Sequence, residues 1–120
     1  MIFSLKRILP IISFALCLQV RADESLKSIV PFLSQHCFDC HGAEKQKGDI
    51  RLDTLGKDLT KHANLEIWQS VLDQLHLGEM PPKKQPHPSR AEVTPVVETL
   101  SASLKLAYEK ARSTGGQTVL

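Results

Sequence analysis

The chain has 120 residues, 42% of them hydrophobic, with 15 basic and 13 acidic side chains and a formal charge of +2. That length suits one modest domain, and the near balance of charge excludes the basic field that holds nucleic acid or an anionic membrane. Three cysteines are too few to staple a fold with disulfides.

Lys6 and Arg7 lie in a first stretch without acids, Ile8 to Val20 is apolar, and Val20-Arg21-Ala22 places small residues where a signal peptidase cuts. Residues 1–22 are therefore expected to be a secretory signal peptide. A retained membrane anchor is the rival reading, but the run is interrupted by Pro10 and falls short of the ~18–20 residues that span a bilayer. Cys17 follows the bulky Leu16, which argues against a lipid-modified cysteine. Removal of residues 1–22 takes away Lys6, Arg7, Arg21 and Cys17, leaving 12 basic against 13 acidic residues and only Cys37 and Cys40. A chain of about 98 residues remains, near the size where an apolar core is only just sufficient.

Leu26, Ile29, Val30 and Leu33 recur at near-helical intervals, and a first helix is expected from about Pro31 to His36. It runs into Cys37-Phe38-Asp39-Cys40-His41. In an exported chain, Cys-x-x-Cys-His is the attachment signal for a c-type haem. Two thiols one short turn apart reach the two vinyl groups of one porphyrin, while the next imidazole lies beneath the iron. Cys37 and Cys40 are thus the covalent anchors and His41 the proximal ligand.

From Ala43 to Lys61, charges and two glycines, Gly48 and Gly56, break any periodicity, and a loop with short turns is expected to wrap one haem edge. Asn64 is the expected N-cap of a second helix, with Leu65, Trp68, Val71, Leu72 and Leu75 on one face and Gly78 at its C-terminal end. Glu79-Met80-Pro81-Pro82 then opens a stiff proline strap that extends through Pro86 and Pro88. A third helix has two possible starts, the capping-box pattern Ser89-Arg90-Ala91-Glu92 and the pair Thr94-Pro95, which a kink near Pro95 would reconcile. Helical spacing continues to about Arg112, and residues 113–120 form a tail without it.

With Met1 removed, Met80 is the only methionine, and its thioether is a soft neutral ligand that favours ferrous iron. His41/Met80 coordination is expected, against the plainer reading of Met80 as a filler of a core gap. Among the other histidines, His76 sits near a helix C-terminus, His87 among prolines, His62 in a charged loop, and His36 directly before Cys37; any of them is a competitor for the sixth position.

Cys37 to His41 with Gly42, Lys47-Gly48, Arg51-Leu52-Asp53, Trp68 and Gly78-Glu79-Met80-Pro81-Pro82 resembles the planctomycete-type cytochrome c domain over about residues 30–112. The resemblance implies an all-α, cytochrome c-like fold of about three helices with long loops around one haem c, a domain spanning residues 23–112, and export to the periplasm or another extracytoplasmic space. It also implies a module often found at the N-terminus of larger exported proteins, and the end at Thr118-Val119-Leu120 fits a fragment as well as a small complete protein. Many cytochromes c place a proline soon after the ligating histidine, whose carbonyl receives the imidazole Nδ1–H. None lies between Gly42 and Leu52, so a carbonyl within Glu44 to Asp49 is expected to take that part. Arg51 and Trp68 are candidate partners for a haem propionate, against a solvated loop charge for the first and simple core packing for the second.

Lys45, Lys47, Lys57, Lys61, Lys83 and Lys84 flank the loops expected near the haem, a basic ring suited to an acidic redox partner protein. Electron transfer is the expected function, with no catalytic residues of the chain's own. Three alternatives stay open: a peroxidase or gas-sensing module with an open sixth position, a His-Cys-Cys-His zinc module, and a thiol-disulfide enzyme, which needs a βαβ setting that the helical periodicities do not provide.

Overall fold

In the computed structural model, which describes residues 22–114, the chain forms four α-helices and one short 3-10 turn. The expected signal peptide lies outside the described residues except for Ala22, and so does the tail beyond Thr114. Helices α1 (Ala22–Ser28) and α2 (Val30–His36) occupy the place of the expected first helix, which starts nine residues earlier than Pro31 and is interrupted at Ile29. Pro31 has no N–H to give to the Lys27 carbonyl, and its ring crowds that oxygen. The chain therefore pauses one turn before the proline.

Helix α3 (His62–Leu77) begins two residues before Asn64. Asn64 is not its N-cap: its side-chain amide instead donates to the Asp58 carbonyl at 3.0 Å. The preceding turn is already closed by Asp58, whose carboxylate accepts the Thr60 N–H at 3.0 Å and the Thr60 hydroxyl at 2.6 Å, a short-range pattern in which an Asx side chain substitutes for backbone. At the other end Gly78 adopts φ 69°, and Glu79 N–H donates to the Gln74 carbonyl at 3.0 Å. This left-handed close is the reason for a glycine here.

Helix α4 (Arg90–Ser113) takes the earlier of its two possible starts. Ser89 Oγ accepts the Glu92 N–H at 3.2 Å while the Glu92 carboxylate accepts the Ser89 N–H at 2.7 Å, a reciprocal pair that satisfies two otherwise orphaned donors. Pro95 sits within the helix rather than opening it. The strong cap at Ser89, directly after Pro88, makes a second start at Thr94 unnecessary.

Helix α4 packs on both α1 and α3. Leu26, Ile29 and Leu33 from the first two helices meet Trp68 and Leu75 of α3 and Val96, Leu100 and Leu104 of α4. The loop between α2 and α3 supplies Leu52, Leu55 and Leu59 to the same core. Between them, these leucines hold an otherwise charged and irregular segment against the helices, each removing apolar surface from water.

Two substitutions test this account. Leu100, fully buried at 0% exposure, should lose about 2–5 kcal/mol on replacement by Ala, from lost transfer energy and the cavity left behind. Ser89→Ala should cost about 1 kcal/mol through the lost cap. Urea unfolding of both variants reads the two values and their order.

Candidate haem-attachment site

At the end of α2 the Cys37 N–H still donates to the Leu33 carbonyl at 2.8 Å, and the Phe38 N–H joins it at 3.1 Å. The Cys37 carbonyl then accepts the Cys40 N–H at 3.2 Å and the His41 N–H at 3.0 Å. Residues 37–41 are thus one closed turn, with both thiols free and half-buried. Sequence spacing alone predicts this proximity, and the backbone bonds enforce it.

Gly42 ends the turn for a steric reason. A Cβ there would overlap the Phe38 carbonyl oxygen, which is backbone and has no free rotamer to escape into. From Gly42 the chain folds back: Gly42 N–H donates to Lys45, Lys47 N–H to Cys40, and Leu52 N–H to the His41 carbonyl, the last at 2.8 Å. His41 is consequently held from both sides, through its backbone and, as follows, through its ring.

His41 Nδ1 lies 3.3 Å from the Ile50 carbonyl oxygen. A carbonyl only accepts, so Nδ1 carries the proton and Nε2 keeps its lone pair, the tautomer an iron ligand needs. The accepting carbonyl belongs to Ile50, one residue beyond the expected Glu44 to Asp49 segment. The reason is local: in the 3-10 turn Lys47–Asp49, Gly48 (φ 65°) and Asp49 (φ 57°) take left-handed backbone, and Ile50 is the first extended residue after it. The Gln46 and Lys47 carbonyls are already taken by the N–H groups of Asp49 and Ile50.

Burial pushes the Cys37 thiol up to about 11, with the adjacent Cys40 adding to the shift. Both effects disfavour the thiolate. Arg51 makes two bonds to Asp53, Nε to Oδ1 at 2.8 Å and Nη2 to Oδ2 at 3.0 Å, and this guanidinium holds the Asp53 carboxyl below the usual range. Trp68 is buried, and its indole N–H donates to the Gly56 carbonyl at 2.8 Å. Its hydrogen bond therefore fastens the loop to α3, and the indole packs in the core. Nothing in the sequence pattern marks Gly56 as that partner.

Met80 is 38% exposed, while Pro81 beside it is buried. It lines a hollow of about 310 Å³ with Leu75, His76, His87 and Val93. Cys37, Cys40, His41, Arg51 and Trp68 are not part of that wall. His87 Nε2 lies 3.2 Å from the Pro82 carbonyl, which turns the proline strap back on itself. His62 pairs with Glu66 at 3.1 Å on the exposed side of α3. Among the described residues no three His, Cys, Asp or Glu side chains converge as a metal-holding group, so a His-Cys-Cys-His zinc set is not assembled. The described residues contain no strand beyond one isolated bridge, His41 to Gln46, and so no βαβ setting for a thiol-disulfide enzyme.

The arrangement of Cys37, Cys40 and His41 fits a c-type haem: two thiols on one turn, and an imidazole with its outer nitrogen engaged and its inner nitrogen free. Residues 37–84, from the first thiol to the strap after Met80, match the family model described as planctomycete cytochrome C. No curated protein and no solved structure matches the chain.

Two outcomes check the site. In protein made without haem, alkylation of Cys37 at pH 8 should run about a hundredfold slower than that of a free cysteine and rise about tenfold per pH unit toward 11, since only the thiolate reacts; peptide mass mapping reads it. Gly42→Ala should destabilise the protein by about 1–3 kcal/mol, by overpacking against fixed backbone, and lower haem incorporation, measured as haem per chain.

Proposed function

We propose, from the membership of residues 37–84 in the planctomycete cytochrome c family, that this protein is an exported one-electron carrier built on a single covalently attached haem. The family assignment points to haem-based electron transfer. The finer reading is carried by one observation, the Cys37 to His41 turn in which the His41 ring is oriented by Ile50. Thioethers at Cys37 and Cys40 would hold the group, and His41 Nε2 would ligate its iron, which supplies a reversible Fe(III)/Fe(II) couple.

The chain's own residues do the rest. The Ile50 carbonyl orients the His41 ring and stops it rotating. Cys37 and Phe38 of the turn pack against the hydrophobic core, and low polarity next to the site favours the less charged ferrous state. Met80 is the distal ligand in this reading. A rigid proline strap carries it, with the Gln85 N–H bonded to the Pro82 carbonyl at 2.9 Å.

Export rests on residues 1–22, and no described helix is long and apolar enough to cross a membrane. Lys45, Lys47, Lys61, Lys83 and Lys84 are exposed and Lys57 is half-buried. This set supports an acidic protein as the redox partner, steered by charge.

A second reading keeps the haem and leaves its sixth position open for peroxide or a gas. The exposure of Met80, in a hollow whose wall excludes His41, favours it.

Three measurements decide. The denatured mass of protein expressed with haem-maturation machinery should exceed that of the bare chain by one haem; haem lost to acidified solvent refutes the covalent reading. Met80→Ala should lower the potential by on the order of 0.1 V, within the ~0.8 V range that axial ligands span, and admit carbon monoxide; no change in either assigns the open-site reading. The electron-transfer rate to an acidic partner should fall steeply between low salt and ~0.15 M, where the screening length is about 8 Å.

A further inference from the structure

His36 closes α2 immediately before Cys37, and its side chain is only 13% exposed. The ring rests against Phe32, with centroids 4.8 Å apart. Its Nε2 is buried without a hydrogen-bond partner and faces Glu92 Oε1 at 3.5 Å, across the contact with α4. That is ion-pair range, yet longer than a good hydrogen bond. A buried polar nitrogen left in this state is costly, and few native structures tolerate one without a use.

The carboxylate it faces is fixed in place and in charge. Glu92 Oε2 accepts the Ser89 N–H at 2.7 Å and the Ser89 hydroxyl at 2.9 Å, which hold Glu92 below the usual carboxylate range and leave Oε1 free for His36. Among the described residues, the ion pair of His36 is with Glu92. The rest of α2 is uncharged apart from His36 itself, and on α1 Lys27 pairs with Asp23 and Glu24. Cys37, next along the chain, ceases to titrate once it is a thioether.

We propose that His36 is a redox-linked proton site: with Nε2–H turned to Glu92, the ring takes a second proton on Nδ1 when the haem is reduced and releases it on oxidation. The inference rests on the haem reading above. Covalent attachment through Cys37 sets the haem one residue from His36, within roughly 10 Å by chain geometry, where the extra positive charge of ferric iron opposes an imidazolium and its loss on reduction favours one. The step balances as one electron from a one-electron donor to iron and one proton from solvent to Nδ1, with no haem bond made or broken. The imidazolium so formed pairs with the Glu92 carboxylate, which draws the 3.5 Å contact toward the ~2.7–2.9 Å of a charge-assisted bond. His36 acts on the couple through charge, as a positioning residue rather than a ligand.

The test is potentiometry of the haem-loaded protein from pH 5 to 9. The wild-type potential should fall as pH rises through one titration, flat on either side. His36→Gln should abolish that dependence. Glu92→Gln, which keeps the Ser89 contacts through its amide oxygen, should shrink it or displace it. At constant pH, reduction of the wild type should shift the His36 imidazole carbon resonances toward the protonated form, a readout that a merely structural role would not move. A His36→Gln protein with the wild-type pH dependence, or His36 resonances blind to reduction, overturns the coupling. Failure of the haem reading is separately visible, because the mass would then show no covalent haem.

Discussion

The structure depends on one closed turn. Cys37 gives its carbonyl to both Cys40 and His41, and Gly42, where a Cβ would overlap the Phe38 carbonyl oxygen, ends the turn. From there the backbone must return across His41, so that Leu52 N–H meets the His41 carbonyl and the Ile50 carbonyl meets its ring. Geometry at the His41 ring is therefore set by backbone atoms, which have few degrees of freedom, rather than by a second flexible side chain. Pre-orientation of this kind is inexpensive to keep and hard to lose by surface mutation.

The helices serve that turn in two ways. Helices α1 and α2 deliver it at the end of an apolar stripe, and α4 clamps the stripe from above through Val96, Leu100 and Leu104. Helix α3 holds the far side of the loop, where Trp68 fills the core and bonds Gly56. A loop of this length with so many charges has little intrinsic reason to order. Its three buried leucines and the one indole bond supply that reason, and they keep Ile50 in place for His41.

The N-terminus of α4 links structure to chemistry. Glu92 closes the capping box with one oxygen and faces the buried His36 nitrogen with the other. A single carboxylate thus joins the start of α4 to the residue preceding Cys37. The proline strap is placed by the same corner: it leaves the left-handed Gly78, carries Met80, and ends at Ser89.

Much of this was legible in the residues. Cys37, Cys40 and His41 at fixed spacing point to a c-type haem, whose attachment needs two thiols and an imidazole in that order. Gly78 as a helix end, Ser89 with Glu92 as a capping box, and the apolar face of α3 are local patterns, decided by neighbours three or four residues apart. The first helix was harder to bound, since Leu26 and Ile29 obey helical spacing while Pro31 interrupts it. What only the tertiary structure decided involves partners distant in sequence. Ile50 in place of an earlier carbonyl follows from left-handed backbone at Gly48 and Asp49; the engagement of Trp68 by Gly56 follows from how the loop lies on α3. The meeting of His36 with Glu92 spans 56 positions of chain. Short-range periodicity reports which residues share a turn or a face, but a hydrogen bond between two loops depends on the packing that brings them together, and no local pattern encodes that distance.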